Sequence, residues 1–252
     1  MFPYWKTVFR IILRTYLKFD FMQLVRSVLY LLLPLLLFGL SLTSVFAQFE
    51  PIPSAQWVED HKDSLREVLL RNKTLPADYE HSILAALMYY PNLEDTRIDF
   101  KKRSPTTTMA ALPTVRSIFR SSENRRYSIL INHKKNKRKS PLLRDVPFEA
   151  RVGVIGHELA HIVDYNRKCG IRLVGNGIAY SVSNSFKRNL EHKIDRITLN
   201  KGLGDGLFAF RLFVEQEENT TDRYRRFKDK IYLSSADIES LIESMNKLSI
   251  ED

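Results

Sequence analysis

Apolar residues recur every three or four positions over one long segment in the middle of the chain. The repeating residues are Phe148, Val152, Ile155, Leu159 and Ile162. This spacing predicts an amphipathic helix whose apolar face packs into a core. Asp145 and Pro147 precede the pattern and Gly170 follows it, and such residues are typical of a helix start and a helix stop. We therefore predict a helix over about 146–169.

Shorter patterns come before this central segment. Ser54 is placed to cap a helix that runs to about Leu70, and a second helix is predicted from about Pro76 to Tyr90. The chain then becomes strand-like in four stretches, at 96–101, 106–112, 117–120 and 127–132. The polar segment Ser121–Asn124 between the last two predicts a hairpin loop. A small sheet is therefore expected over about 96–133.

A second helical pattern follows the central one. Ser183 or Asn184 can cap its start, Gly202 can end it, and its apolar face is formed by Leu190, Ile194 and Ile197. We predict a helix over about 184–201 and a helical C-terminal part over 205–252. Because helices surround one small sheet in this reading, the predicted fold class is α+β.

The N-terminal region has a different character. No charged residue occurs from Ser27 to Gln48, and five basic side chains precede that stretch. An apolar run behind a basic segment is typical of a signal peptide or a membrane anchor, with the following domain sent across the membrane. We interpret residues 1–47 in this way, with Met22 as an alternative start. Residues 48–252 are then an exported, periplasmic or otherwise extracytoplasmic domain, either soluble or tethered to the membrane through residues 27–47.

The charge balance says little about partners once it is divided along the chain. The formal net charge is +10, of which the five basic and one acidic side chains of residues 1–47 supply +4, so the exported part carries about +6. Much of this lies in Lys134–Lys139, a run without aromatic residues and outside any recognisable nucleic-acid-binding module. We predict no nucleic-acid partner. We interpret the run as a solvated loop that can be drawn to anionic envelope surfaces or acidic substrates.

The candidate chemistry is concentrated in the central helix. His157, Glu158 and His161 form an H-E-x-x-H pattern, and all three lie off the apolar stripe. Residues four apart share a helix face, so both imidazoles can reach one metal ion. Glu158 lies next to the first histidine, where its carboxylate can contact a metal-bound water. The pattern fixes only three positions, and the alternative is an amphipathic helix with two surface histidines.

A second group of ionisable residues follows 30 residues after His161. Glu191 and Asp195 lie four apart on the second predicted helix and share a face. A metzincin-type site is excluded, because that pattern needs Gly and His where this chain has Asp164 and Arg167. The alternative for the acidic pair is a solvated helix face, with Lys193 and Arg196 as ion-pair partners.

The two groups together resemble the gluzincin branch of the zincin metallopeptidases over roughly residues 145–204. The resemblance implies one zinc ion per chain with His157, His161 and Glu191 as its ligands. It implies that Asp195 hydrogen-bonds a ligating histidine and fixes the orientation of its ring. His192 departs from the smaller or apolar residues of many gluzincins, so it is a rival ligand, a transition-state donor or an exposed residue.

The resemblance also predicts an architecture and an activity. It implies a zincin-like catalytic domain, with a small mixed or antiparallel sheet packed on the H-E-x-x-H helix. An edge strand of that sheet would pair with an extended peptide substrate, and Tyr127–Asn132 is the predicted edge. The expected function is an exported zinc metallopeptidase with Glu158 as general base and then acid, acting on a peptide or protein substrate that can be envelope-associated.

Several points stay open at the level of sequence. His192, Tyr180 and Tyr224 are the candidate transition-state donors. The alternative functions are a zinc hydrolase of a non-peptide bond, a non-catalytic envelope protein stabilised by the metal, and a membrane-tethered binding module without metal.

Overall fold

The computed structural model describes residues 51–134, 140–216 and 221–248. The predicted leader or anchor at 1–47, the alternative start at Met22 and most of the basic run Lys134–Lys139 lie outside these residues. In the part of the chain that is described, no helix combines the length and the apolar character needed to cross a membrane.

The described residues form an α+β fold in which helices predominate, as predicted for the fold class. The helices are α1 (Ala55–Asp60), α2 (Lys62–Leu69), α3 (Glu80–Met88), α4 (Phe148–Asn166), α5 (Gly170–Val182), α6 (Asn184–Asn200), α7 (Gly204–Gln216), α8 (Asp222–Ile231) and α9 (Ser235–Leu248). The motif helix of the sequence is α4, and the helix of the second acidic group is α6. The side-chain oxygens of Ser54 and Ser183 accept hydrogen bonds from the first turns of α1 and α6.

Within the described residues the sheet is mixed and has four strands. They are β1 (Lys73–Thr74), β2 (Arg97–Arg103), β3 (Met109–Pro113) and β4 (Arg126–Asn132), in the order β1-β2-β4-β3. β1 is parallel to β2 and β2 is parallel to β4, whereas β3 is antiparallel to β4. The antiparallel strand β3 therefore lies at one edge, and it packs against α4.

Two predictions for the sheet are wrong. Tyr127–Asn132 is not an edge, because the strand that contains it, β4, lies between β2 and β3. Residues 117–120 do not form a strand either: the chain makes a 3-10 turn at Val115–Ser117 and then bends. The partner of β4 in the hairpin is β3, which is reached over the longer connection 114–125. Chain order alone does not reveal that β4 inserts beside β2, since that pairing is parallel and long-range.

Close packing around α4 fixes where its histidines lie. A Cβ atom added to Gly153 would lie 2.0 Å from the carbonyl carbon of Gly206, so α4 and α7 approach at backbone contact. On the side of α3, the hydroxyl of Tyr90 donates a hydrogen bond to the carbonyl of Gly156 at 2.7 Å. At the end of α4, the buried Arg125 donates to the carbonyls of Tyr165 and Lys168, which satisfies groups that a helix end leaves unpaired. α4 is thus held from several sides.

α5 is a helix that our sequence predictions omit. Gly170 is not simply a stop, because α4 ends at Asn166 and Gly170 begins the next helix. α5 contains Gly175 and Gly177, which are poor helix formers, and its aliphatic residues Ile171, Val174, Ile178 and Val182 are exposed. These four aliphatic residues recur at intervals of three and four, so helical spacing is present in the sequence, and the two glycines argued against a helix there.

Candidate metal centre

Three side chains from two helices converge at one point. His157 and His161 lie one turn apart on α4, and Glu191 comes from the second turn of α6. The Nε2 atoms of His157 and His161 lie 3.2 Å and 3.4 Å from the same carboxylate oxygen, Oε2 of Glu191. The three candidate ligand atoms lie within 4.8 Å of one another. This arrangement can hold a metal ion.

The cluster is buried, which excludes the solvated alternatives. His157 and His161 are 4% and 7% exposed, and Glu191 is 1% exposed. The reading of the two histidines as surface residues is therefore wrong. Lys193 does not pair with the acidic residues of its own helix but reaches Oδ1 of Asp164 on α4 at 2.8 Å. A buried carboxylate seldom lies without a partner, and one that faces the nitrogens of two imidazoles suits a bound cation.

Asp195 lies behind His157 and is itself firmly held. Its Oδ1 atom is 2.8 Å from Nδ1 of His157, on the opposite side of the ring from Glu191. The guanidinium of Arg211 donates to both Asp195 oxygens at 3.2 Å and 3.3 Å, and the backbone N–H of Leu233 donates to Oδ2 at 3.2 Å. A carboxylate in this position fixes the ring and leaves Nε2 of His157 directed at the cluster.

The electrostatics of the cluster favour charged carboxylates. Burial acting alone would lower the pKa of His157, but the hydrogen bonds and charges of Asp195 and Glu191 outweigh it and raise the pKa to about 9. Burial would raise the pKa of Glu191, yet His161 and His157 hold it well below its usual range. The pKa of Asp195 is likewise lowered, because Arg211 and His157 outweigh burial. His157 therefore carries a proton at neutral pH in the metal-free cluster, and a metal cation would have to displace that proton.

Glu158 is placed beside the cluster but is not one of its ligands. It is 6% exposed and lines a small cavity together with His157. The cavity measures about 10 Å³, which is the space of about one water molecule. Thr107, Thr108 and Met109, at the start of the edge strand β3, form another wall of it. Glu158 therefore lies at a cavity between the candidate metal site and the start of β3.

The three candidate transition-state donors differ in their position relative to the cluster. Tyr180 of α5 donates its hydroxyl proton to Oε1 of Glu191 at 2.5 Å. Burial and the charges of Glu191 and Glu158 raise the pKa of Tyr180. Tyr224 of α8 is 1% exposed beside Thr108, and burial raises the pKa of its hydroxyl. His192 is outside the cluster: it is half-buried and its charge acts on Asp237 at the start of α9.

The C-terminal helices bring residues to the site that the sequence patterns did not single out. Arg211 of α7 and Lys228 of α8 line the same cavity, as does Tyr232 just after α8. The ring centroid of Tyr232 is 5.8 Å from that of His157. Burial, followed by the like charge of Arg211, lowers the pKa of Lys228 to about 7. The one signal in the sequence was Arg211 itself, a lone charge among the phenylalanines of α7.

Comparisons with known protein families, with curated proteins and with solved structures find no match. The interpretation of the centre therefore rests on its own residues and their geometry.

Proposed function

We propose that this protein is an exported zinc-dependent metallopeptidase with a gluzincin-type centre in a zincin-like domain. The observation that carries the proposal is the buried convergence of His157, His161 and Glu191 on one point, with the carboxylate of Glu158 beside it. Metal ligands and a free carboxylate on the same cavity wall are what a metal-assisted hydrolysis needs. Export is inferred from the apolar segment Ser27–Gln48 behind its basic residues.

The donor set supports zinc. Two imidazoles and one carboxylate are a common ligand set of catalytic zinc, which keeps its fourth position open. Ligand atoms at tetrahedral positions around zinc lie about 3.4 Å apart, and the nitrogens of His157 and His161 lie 3.2 Å and 3.4 Å from Oε2 of Glu191. The contact of Asp195 with His157 supports the same interpretation, since metal-bound histidines usually have such a partner.

In the proposed hydrolysis, each residue of the site has a separate role. When bound, zinc would lower the pKa of a water molecule towards neutral and polarise the scissile carbonyl. Glu158 accepts the proton of the attacking water and then delivers it to the leaving amine, so it acts first as general base and then as general acid. Asp195, held by Arg211 and the N–H of Leu233, keeps His157 oriented throughout.

The edge of the sheet supplies a place for the peptide. β3 has β4 on one side, and its other edge carries no strand of the described chain. Thr108 and Met109 at its start line the cavity with Glu158. An extended peptide that adds to this edge would pass the cluster with its backbone aligned. β3 thus takes the role that the sequence had suggested for Tyr127–Asn132.

The donor that stabilises the transition state is assigned to Tyr180. Its hydroxyl lies at Glu191, and the charges of Glu191 and Glu158 both act on it. A tyrosine hydroxyl has one proton, and Tyr180 donates it to Glu191 in this structure, so Tyr180 would have to exchange that hydrogen bond for one to the developing oxyanion. Tyr224 is enclosed beside Thr108 and His192 faces Asp237, so both are worse placed.

The test is cleavage of a defined peptide mixture by the zinc-loaded full chain, read by mass spectrometry. We expect new termini from peptide-bond hydrolysis, their loss in Glu158→Gln, and unchanged zinc content in that variant. Glu149→Gln is the matched control, because Glu149 is an exposed residue of the same helix. Full turnover by Glu158→Gln would contradict the assigned mechanism. Bound zinc without cleavage of any peptide would favour either a non-peptide substrate or a structural metal.

A further inference from the structure

A stripe of aliphatic side chains on α5 faces solvent. Its members recur at intervals of three and four, which places them on one side of the helix, and they are between 39% and 80% exposed: Ile171, Val174, Ile178 and Val182. The opposite side of α5 faces the protein, since Leu173 is buried and the hydroxyl of Tyr180 reaches Oε1 of Glu191. An apolar stripe on a helix normally packs into the core, so the outward position of this one indicates a partner.

The apolar surface continues from α5 onto the connection between β3 and β4. A Cβ atom added to Gly170, at the start of α5, would lie 2.6 Å from the carbonyl oxygen of Ile118 and 2.8 Å from the ring of Phe119. The side chains of Phe119 and Val115 in this connection are 73% and 87% exposed. We name these two residues and the aliphatic stripe together the α5 patch. An exposed apolar surface of this kind marks a site of contact with a ligand, a protein or a membrane.

The chain around the α5 patch is basic. No acidic residue occurs from Phe100 to Ser122 or from Tyr165 to Leu190, the two stretches that supply the patch. Asp164, which precedes the second stretch, is buried and paired with Lys168 and Lys193. The same two stretches carry exposed arginines, namely Arg116, Arg120, Arg167 and Arg172. Apolar side chains flanked by arginines match the acyl chains and the anionic headgroups of a bilayer surface.

Two occupants from the chain itself fit the α5 patch less well. The segment Ser27–Gln48 has no charged residue, so it could cover the aliphatic side chains but offers no negative group to the arginines. A second copy of the chain that docks through the same face would bring two sets of arginines together, and like charges at an interface reduce affinity. An anionic membrane surface satisfies both the apolar and the charged part of the patch.

We propose that the α5 patch docks on the surface of an anionic lipid bilayer, with the aliphatic stripe in the headgroup region and the arginines at lipid phosphates. α5 would then lie in the plane of the membrane. Because Tyr180 on its inner face contacts Glu191, the metal-ligand cluster would lie roughly one helix diameter, 10 Å, from the lipid. The inference goes beyond the proposed function and does not depend on it, since docking requires neither zinc nor cleavage. For the proposed peptidase, this position would select peptide segments that lie close to the membrane.

The test uses Cys169, the single cysteine of the chain, to attach a probe beside the α5 patch. Cys169 is exposed and immediately precedes Gly170 at the start of α5. The full chain, with a polarity-sensitive fluorophore on Cys169, is mixed with vesicles of phosphatidylcholine and phosphatidylglycerol in equal parts that carry a nitroxide quencher at the headgroups. We expect the emission to shift to shorter wavelength and to be quenched by the nitroxide. Vesicles of phosphatidylcholine alone should give a smaller effect, because they lack anionic headgroups.

Matched variants separate docking of α5 from attachment through another part of the chain. A label on Ser244→Cys in a Cys169→Ser background reports from an exposed position of α9 and should be quenched less. Ile178→Ser combined with Val182→Ser should reduce the docked population about tenfold or more, since each buried methylene contributes about fourfold to membrane partitioning. Val68→Ser is the matched control, because Val68 is a 59% exposed aliphatic residue of α2, and it should leave the quenching of the Cys169 label unchanged.

Three results would overturn the proposal. The first is a Cys169 label that is neither shifted nor quenched on anionic vesicles. The second is a shifted emission without quenching by the lipid-borne nitroxide, which would point to coverage by residues 27–47 or, where the signal depends on protein concentration, by a second copy of the chain. The third is quenching that persists in the Ile178→Ser and Val182→Ser double variant. None of these results bears on the metal centre, so the docking surface and the peptidase function can fail separately.

Discussion

Replacing Lys228 by Met should stabilise the protein at neutral pH. Burial, followed by the like charge of Arg211, outweighs the attraction of the carboxylates of Glu191, Asp195 and Glu158 and lowers the pKa of Lys228 from 10.5 to about 7. Methionine has a similar length and no charge, so it suits the ring of Tyr232 and the neighbouring Phe210 without the cost of desolvation.

The magnitude follows from the shift in pKa. One pKa unit corresponds to about 1.4 kcal/mol, so a shift of this size corresponds to about 5 kcal/mol. This value is the upper limit on the increase in the free energy of unfolding that Lys228→Met can give. The pKa of Lys228 in the folded state lies below that in the unfolded state. The loss of stability caused by burying the ammonium is therefore complete below about pH 7 and declines as the pH rises. It is absent above pH 10.5, where Lys228 is neutral in both the folded and the unfolded state. The gain from Lys228→Met should shrink in the same way.

The assay is denaturant unfolding of the metal-free full chain between pH 6 and pH 10, for wild type, Lys228→Met and Lys230→Met. The exposed Lys230 should change the free energy of unfolding by less than about 0.5 kcal/mol at every pH. A Lys228→Met variant that is less stable than wild type at pH 7, or a difference that does not depend on pH, would refute the account of Lys228 as a cation whose burial costs more than its neighbouring carboxylates return.

Three further predictions concern the metal centre and the packing beneath it. Asp195→Asn should weaken zinc binding about 10- to 100-fold in a chelator competition, because His157 loses the partner that orients it; unchanged affinity would show that the contact is incidental. The zinc affinity of the wild type should rise about tenfold per pH unit between pH 7 and pH 9 and then level off. The reason is that His157, with its pKa of about 9, must lose a proton before zinc binds. A zinc affinity that does not change with pH would contradict this prediction. Gly153→Ala should lower the free energy of unfolding by about 2 kcal/mol or more, because the added methyl meets the backbone of Gly206. Gly177→Ala, which adds a methyl with nothing within 4 Å, should raise the free energy of unfolding by about 0.5–1 kcal/mol. Equal effects of the two substitutions would refute the close crossing of α4 and α7.

The two helices that carry the candidate ligands could be predicted because their apolar residues repeat at helical spacing. α4 spans Phe148–Asn166 within the predicted 146–169, and α6 spans Asn184–Asn200 within 184–201. Spacing also placed His157 near His161, and Glu191 near Asp195. What spacing does not determine is that the two helices pack together, and the resemblance to a known ligand pattern supplied that expectation.

The remaining features depend on long-range packing. The edge strand is β3 because β4 pairs with β2, and no local pattern distinguishes an edge strand from a central one when both are short. Lys228 and Tyr232 reach the site only because α8 packs against α6. In the sequence Lys228 is one of many basic residues in a charged stretch. Its burial depends on tertiary packing, which cannot be seen from the composition of that stretch.

The measurement that tests the central claim most directly is the metal content of the purified full chain by elemental analysis. After reconstitution with zinc, we predict about one zinc per wild-type chain, the number that a single three-ligand site holds. Replacing both His161 and Glu191 by Gln should leave less than about a tenth of that amount. A wild-type chain without bound zinc, or a double variant that retains it, would contradict a metal centre at His157, His161 and Glu191.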